Sequence, residues 1–174
     1  PWRSVIGNVL FGIEHQRQLS RKERFERARH YLDMVQLSGF EKSRIHELSG
    51  GMRQRVALAR ALTPEPDIIL FDEPFGSLDA LTRERFYAQI QEIFLRTKKT
   101  GVFVTHNVRE AACLGDRVVV LTSRPGRIKR EIAVPLPRPR DFYDPDVSRL
   151  AGQILGELRS ELPPTGDTNH ETEA

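Results

Sequence analysis

Pro66-Asp67-Ile68-Ile69-Leu70-Phe71-Asp72-Glu73-Pro74 is the stretch on which the fold turns. Four consecutive apolar residues lie between a proline and an acidic pair. A short continuous apolar run bounded in this way predicts a strand buried on both faces of a parallel sheet. Downstream, the pattern predicts a helix from about Leu81 to Thr97 and a strand at Gly101–Thr105. A short helix at Val108–Leu114 and a strand at Arg117–Thr122 come next. Strand, helix, strand, helix, strand in this order implies an α/β domain with right-handed crossovers. Gly126 marks a hairpin into a last strand near Ile128–Val134.

Upstream, the texture is helical. Ser20-Arg21-Lys22-Glu23 reads as a capping box, with Ala28, Tyr31, Leu32 and Val35 at helical spacing behind it. Ser38-Gly39 is the expected stop. A second helix is predicted from near Ser49 to Leu62, ended by Pro64 and Pro66. Beyond the last strand, Pro135, Pro137 and Pro139 alternate, which favours an extended linker. Helical spacing returns over Val147–Leu162 through Leu150, Ile154, Leu155 and Leu158. The polar end, 163–174, is expected to be disordered. The implied organisation is 1–62 helical, 63–134 sheet-bearing, 135–162 linker and helix, then the tail.

The 174 residues suit one domain. The composition, 39% hydrophobic and 29% charged, is that of an ordinary globular protein. No apolar run approaches the ~20 residues that cross a bilayer. A single cysteine, Cys113, excludes an internal disulfide and reads as a small core residue. The net charge of +3 comes with basic runs at Arg21–Arg29 and Arg124–Arg140, which read as a solvated helix face and a basic loop. They lack the interleaved aromatics of a nucleic-acid surface, so no nucleic-acid partner is expected. The chain begins at Pro1, and the simplest expectation is a fragment whose N-terminal part is lost.

Four features that carry chemistry occur in order. In Leu48-Ser49-Gly50-Gly51-Met52-Arg53-Gln54-Arg55, two glycines stand at a predicted helix start. Glycine lets the backbone approach a ligand closely. A helix N-terminus offers free N–H groups and partial positive charge, which favour a phosphate. Asp72 and Glu73 close the apolar strand, where ligands bind in open α/β sheets. Asp72 is the candidate Mg²⁺ ligand, since Mg²⁺ takes oxygen donors and keeps several waters. Glu73 points differently and is the candidate to polarise a water for attack on phosphate. Taken alone, the acidic pair is equally readable as a cap beyond a strand. Ser77-Leu78-Asp79 is a polar turn, and Thr105-His106 ends the next strand. If that strand lies parallel beside the first, His106 falls next to Glu73 and can contact a phosphate.

In this order the four features resemble the ABC ATPases. Leu48–Gln54 is similar to their signature motif, Ile68–Asp72 to the Walker B strand, and Glu73 to the catalytic glutamate. Ser77–Asp79 matches the D-loop, and His106 the switch histidine. The resemblance runs from Pro1 to about Val134. It implies a partial P-loop NTPase cassette, namely the helical subdomain plus the second half of the core. A finer resemblance is to the ATPases of nitrate, taurine and aliphatic sulfonate importers. It is carried by Pro1–Val5, Asn8-Val9, Ser123–Ile128 and the proline-rich Pro135–Pro145. No Gly-x-x-x-x-Gly-Lys-Ser/Thr phosphate loop occurs, and the Q-loop glutamine is absent.

The family's arrangement implies ATP and Mg²⁺ as ligands, with Glu73 and His106 catalytic and Asp72 on the metal. Ser49, Gly50, Gly51, Gln54 and Asp79 would contact nucleotide, the signature residues acting on ATP held by a second ATPase subunit in a head-to-tail dimer. A membrane permease, and indirectly an extracytoplasmic solute-binding protein, would be further partners at the cytoplasmic face of the membrane. Without the phosphate loop, the 174 residues are expected not to turn over ATP by themselves. Two alternatives stay open: an ABC ATPase that serves no transporter, and a non-catalytic truncated module.

Overall fold

The computed structural model describes residues 1–159. It divides into two compact units, Pro1–His106 and the residues from Asn107 onward. This break lies elsewhere than the boundaries after 62 and 134 that the sequence suggests. The tail expected to be disordered lies outside the described residues.

In the first unit, three helices precede a strand pair. Helix α1, Val5–Phe11, is capped by Ser4, whose hydroxyl accepts from the Gly7 N–H. Helix α2 spans Arg21–Met34 and opens on the expected capping box, with Ser20 and Glu23 each satisfying the other's backbone. That hydrogen bonding holds the Glu23 carboxyl below its ordinary pKa. The helix stops earlier than Ser38-Gly39, which corrects the sequence expectation. Gln36 turns left-handed (φ 59°), its N–H reaches Asp33 O, and the Leu37 N–H reaches Leu32 O at 2.8 Å. This is a Schellman ending, and Leu32 and Leu37, the apolar pair that such endings bring together, are both buried. Helix α3 spans Gly50–Leu62. Val5, Val9 and Ile13 are fully buried, as are Ala28 and Leu32 of α2 and Ala59 of α3. These residues make α1, α2 and α3 one small helical core.

Strand β1, Ile68–Asp72, pairs in parallel with β2, Thr100–Val104, and α4, Ala80–Thr97, crosses between them. One face of this pair is packed. Phe71 stacks on Phe103 at 4.3 Å, with Phe94 of α4 at about the same distance from both, 6.1 and 6.0 Å. Gly101 sits there because a methyl group in its place would come within 2.9 Å of the Phe94 ring. The other face is bare. Ile68 and Leu70 are 58% and 77% exposed, while Ile69 between them is 4% exposed. The expectation of burial on both faces is therefore corrected. Successive side chains of a strand point to opposite faces, and nothing among the described residues covers the face of Ile68, Leu70, Val102 and Val104.

In the second unit, α5, Val108–Leu114, leads to β3, Arg117–Leu121, and β4, Ile128–Ala133. β3 does not extend the β1–β2 sheet, as a simple reading of the alternating pattern implies. It pairs antiparallel with β4, through the hairpin that Gly126 signals. The Thr122 N–H bonds Arg127 O at 2.9 Å across that turn. A pairing closed by so short a loop costs little chain entropy.

Helix α6, Pro145–Arg159, packs on α5 through Val147, Leu150, Ala151 and Ile154, while Leu155 of the predicted stripe faces outward. The proline-rich segment before it has no regular structure, yet it is fastened. The Arg140 side chain, 3% exposed, donates to Cys113 O, Leu136 O and Gly115 O. Arg138 donates to Leu114 O, and both arginines reach Asp116. Two cations thus satisfy the open carbonyls at the end of α5. Cys113 is fully buried there, and burial pushes its thiol up to about 11, as suits a core residue.

Candidate functional site

The site is built around the turn that leaves β1. Glu73 is the first residue beyond the strand and adopts a left-handed backbone, φ 41°. A side chain with a Cβ takes that conformation only where its surroundings impose it. Three anchors do so. The Glu73 N–H bonds Val104 O of the neighbouring strand at 2.9 Å. Pro74 O accepts a hydrogen bond from the Gln54 amide of α3. Phe75 is buried, edge-on to Tyr87 at 4.8 Å and Phe86 at 5.8 Å. The Gly76 N–H then folds back to Glu73 O at 3.3 Å.

Held in this way, the Glu73 carboxylate meets His106. His106 Nδ1 stands 3.0 Å from Glu73 Oε1, and both side chains are largely open to solvent, 79% and 52% exposed. The parallel register accounts for the meeting. Asp72 pairs with Val104, so the residues just beyond the two strands emerge on the same side. Asp72 itself is exposed at the end of β1.

Asp79 begins the next helix. Its carboxylate accepts from the Thr82 N–H at 3.0 Å, and that bond holds its pKa below the ordinary value. It is the N-cap of α4.

The N-terminus of α3 lies against the same turn. The Ser49 hydroxyl is the N-cap and accepts from the Met52 N–H at 3.2 Å. No hydrogen bond within the described chain occupies the N–H groups of Gly50 and Gly51. The two glycines are there for different reasons. A methyl group on Gly51 would stand 2.4 Å from Thr82 Cγ2, so Gly51 lets α3 approach the start of α4. A methyl group on Gly50 would come no nearer than 3.8 Å to Ser77 O. Its bareness serves no packing purpose within the chain.

The structure therefore brings Glu73 and His106 into contact and joins Gln54 to the Glu73 turn. It sets Gly50 and Gly51 beside the Ser77–Thr82 segment. Pro74, Phe75 and Thr82 are site-forming residues that the four motifs do not single out. A lone phenylalanine inside a polar turn was the available signal for Phe75. Among the described residues no cluster of three acidic, His or Cys side chains could hold a bare metal ion. The donor set fits a hydrated Mg²⁺ that takes one carboxylate, Asp72, with water and phosphate oxygens as its other ligands. A surface cavity lined by Arg3, Glu14, Arg21, Arg24 and Phe25 holds none of the motif residues.

Comparison with known proteins identifies the family. Residues 3–76 match the ABC transporter family. The chain is 48% identical over 162 residues to an uncharacterized ABC transporter ATP-binding protein, MJ0412, of Methanocaldococcus jannaschii, covering 93% of this chain and 60% of that protein. It is 48% identical to the nitrate import ATP-binding protein NrtD of Synechocystis, covering all of this chain and 66% of the relative. The taurine import ATP-binding protein TauB of Pseudomonas syringae is 48% identical over 76% of this chain and 50% of its own length. The chain thus spans about half to two thirds of these relatives. Among solved structures, the dimeric ABC transporter cassette MJ0796 superposes with a TM-score of 0.64 at 35% identity, covering 77% of this chain and 58% of the cassette. The fold is part of an ABC ATPase cassette, and the chain belongs to the family of ABC transporter ATP-binding proteins.

Proposed function

We propose that the chain supplies the signature helix, the Walker B strand and the water-activating carboxylate of an ATP-hydrolysing importer subunit. The solute would be a small oxyanion or an organic sulfonate: nitrate, taurine or an aliphatic sulfonate. The reading is carried by one observation, the 3.0 Å contact between Glu73 and His106 at the ends of adjacent parallel strands. Its support in the comparisons is the importer names of relatives such as NrtD and TauB.

Glu73 polarises the water that attacks the γ-phosphate and draws off its proton. His106, hydrogen-bonded to that carboxylate, fixes its direction and presents its remaining ring nitrogen toward the phosphate. Asp72 would hold Mg²⁺, which when bound offsets charge on the phosphate oxygens. The bare N–H groups of Gly50 and Gly51, at the positive end of α3, act with Ser49 on ATP held by a second subunit in a head-to-tail dimer. A membrane permease, with its external solute-binding protein, completes the assembly at the cytoplasmic face.

Residues 1–174 contain no lysine-bearing phosphate loop, so the cradle that positions the β- and γ-phosphates must be supplied. The test joins the chain to an N-terminal segment that carries a Gly-x-x-x-x-Gly-Lys-Ser/Thr loop. Phosphate release is expected from the joined protein and not from residues 1–174. Glu73→Gln should lower turnover at least about 100-fold, the scale of a lost general base, while ATP binding survives. Near-normal turnover in that variant would overturn the assignment.

A further inference from the structure

Gln54 stands in the signature stretch, where the resemblance makes it a nucleotide contact. Its amide does something else. Gln54 Nε2 donates to Pro74 O, the carbonyl directly after Glu73. Gln54 and Gly51 are three residues apart on α3 and so lie on one face of the helix. That face is fastened twice to the catalytic segment. The amide holds the Glu73–Pro74 turn, and Gly51 is seated against Thr82, whose N–H is tied to Asp79. Glu73 needs such fastening, because its left-handed backbone (φ 41°) is not one it would keep unaided.

We infer that Gln54 is a positioning residue for Glu73 of its own chain, linking the N-terminus of α3 to the turn that aims the carboxylate. The proposal rests on the ATPase reading above and deepens it. By that reading, the N-terminus of α3 acts on nucleotide bound across the dimer. A shift of α3 as the dimer closes is then passed through the amide to the Glu73 turn of the same chain. One site's closure would set the aim of the other site's base, without any ligand shared between them.

The test uses the dimer of the joined protein described above, which carries a phosphate loop. Gln54→Leu removes the donor at nearly constant volume, and Gln54→His returns an N–H at similar reach. Positioning predicts that Gln54→Leu lowers kcat about tenfold or more with KM for ATP within twofold. It also predicts that Gln54→His recovers most of the loss. ATP-driven dimer formation, measured in a Glu73→Gln background, should be the same with and without the Gln54→Leu substitution. That arm separates mispositioning from misfolding, because a misfolded fraction cannot dimerise. A raised KM or a weakened dimer with kcat kept would make Gln54 a contact of the partner's nucleotide and overturn the proposal. So would unchanged kinetics, or a Gln54→His variant no better than Gln54→Leu. If Glu73→Gln alone leaves turnover intact, it is the ATPase assignment of Glu73 that fails.

Discussion

Two adjacent glycines at the head of α3 do unlike jobs, and single substitutions separate them. Alanine at 51 drives a methyl group to within 2.4 Å of Thr82 Cγ2. Thr82 is β-branched and its backbone is held by Asp79, so relief requires its side chain to change rotamer or α3 to move away from α4. Gly51→Ala should cost about 1–3 kcal/mol of stability, the usual scale of overpacking. Gly50→Ala has room, with its nearest neighbour at 3.8 Å. It should leave the melting temperature within a degree or two, the gain in helix propensity offsetting small losses. On the function proposed above, its effect would fall on nucleotide contact across the dimer. Chemical denaturation of the two variants side by side checks the contrast. Equal destabilisation would mean that Gly51 is no more confined than Gly50.

Elements differ in how far they could be read from the amino acids alone. α2, α3, α4, α5 and the β3–β4 hairpin lie within a few residues of where caps, prolines and apolar spacing put them. α1 escapes such a reading. It has seven residues, includes Gly7 and Asn8, and buries only Val5 and Val9, which is too short a stretch for a period to show. The meeting of Glu73 and His106 was legible once the two strands are taken as parallel neighbours, a direction that the helix between them favours. The anchoring of the Glu73 turn was not, since it depends on a side chain twenty residues away in sequence (Gln54 to Pro74). Nor was the role of Arg138 and Arg140, where a proline-rich run suggests only an extended linker. These two side chains close the end of α5. Arg140→Ala removes a donor from the carbonyls of Cys113 and Gly115 and should cost about 1–3 kcal/mol. The same cluster predicts a pH response. Burial raises the Asp116 pKa, but the hydrogen bonds and charges of Arg138 and Arg140 outweigh it and leave a net lowering. A depressed carboxyl contributes stability above its unfolded pKa, near 4, that is lost as pH falls through the folded value. Asp116→Asn should therefore lower stability at pH 8 and converge on the parent chain as pH falls through the folded value, which flattens the acid limb of the stability curve. An unchanged acid limb would show that the pair contributes nothing to it.

At the scale of the whole chain, the two units carry unlike surfaces. The first holds the motif residues and one packed, one bare sheet face. The second holds a hairpin and two helices closed around a buried cysteine. Ile68, Leu70, Val102 and Val104 form a contiguous apolar side on the strand pair, since Leu70 and Val102 are register partners. Only β1–β2 pairing is present in that sheet among the described residues, so its outer backbone groups are a template for another strand. Residues 1–174 should therefore scatter light at micromolar concentration, and Leu70→Lys with Val102→Glu should suppress the scattering. A monodisperse monomer without those substitutions would contradict this. The same bare side bears on how stability can be measured. Dyes that fluoresce on apolar protein surface would bind the folded chain from the outset. A dye-reported melt would start bright and rise little, or even decline, where a conventional one climbs. The transition is better followed by circular dichroism, or by the reactivity of Cys113, whose buried thiol answers to opening alone.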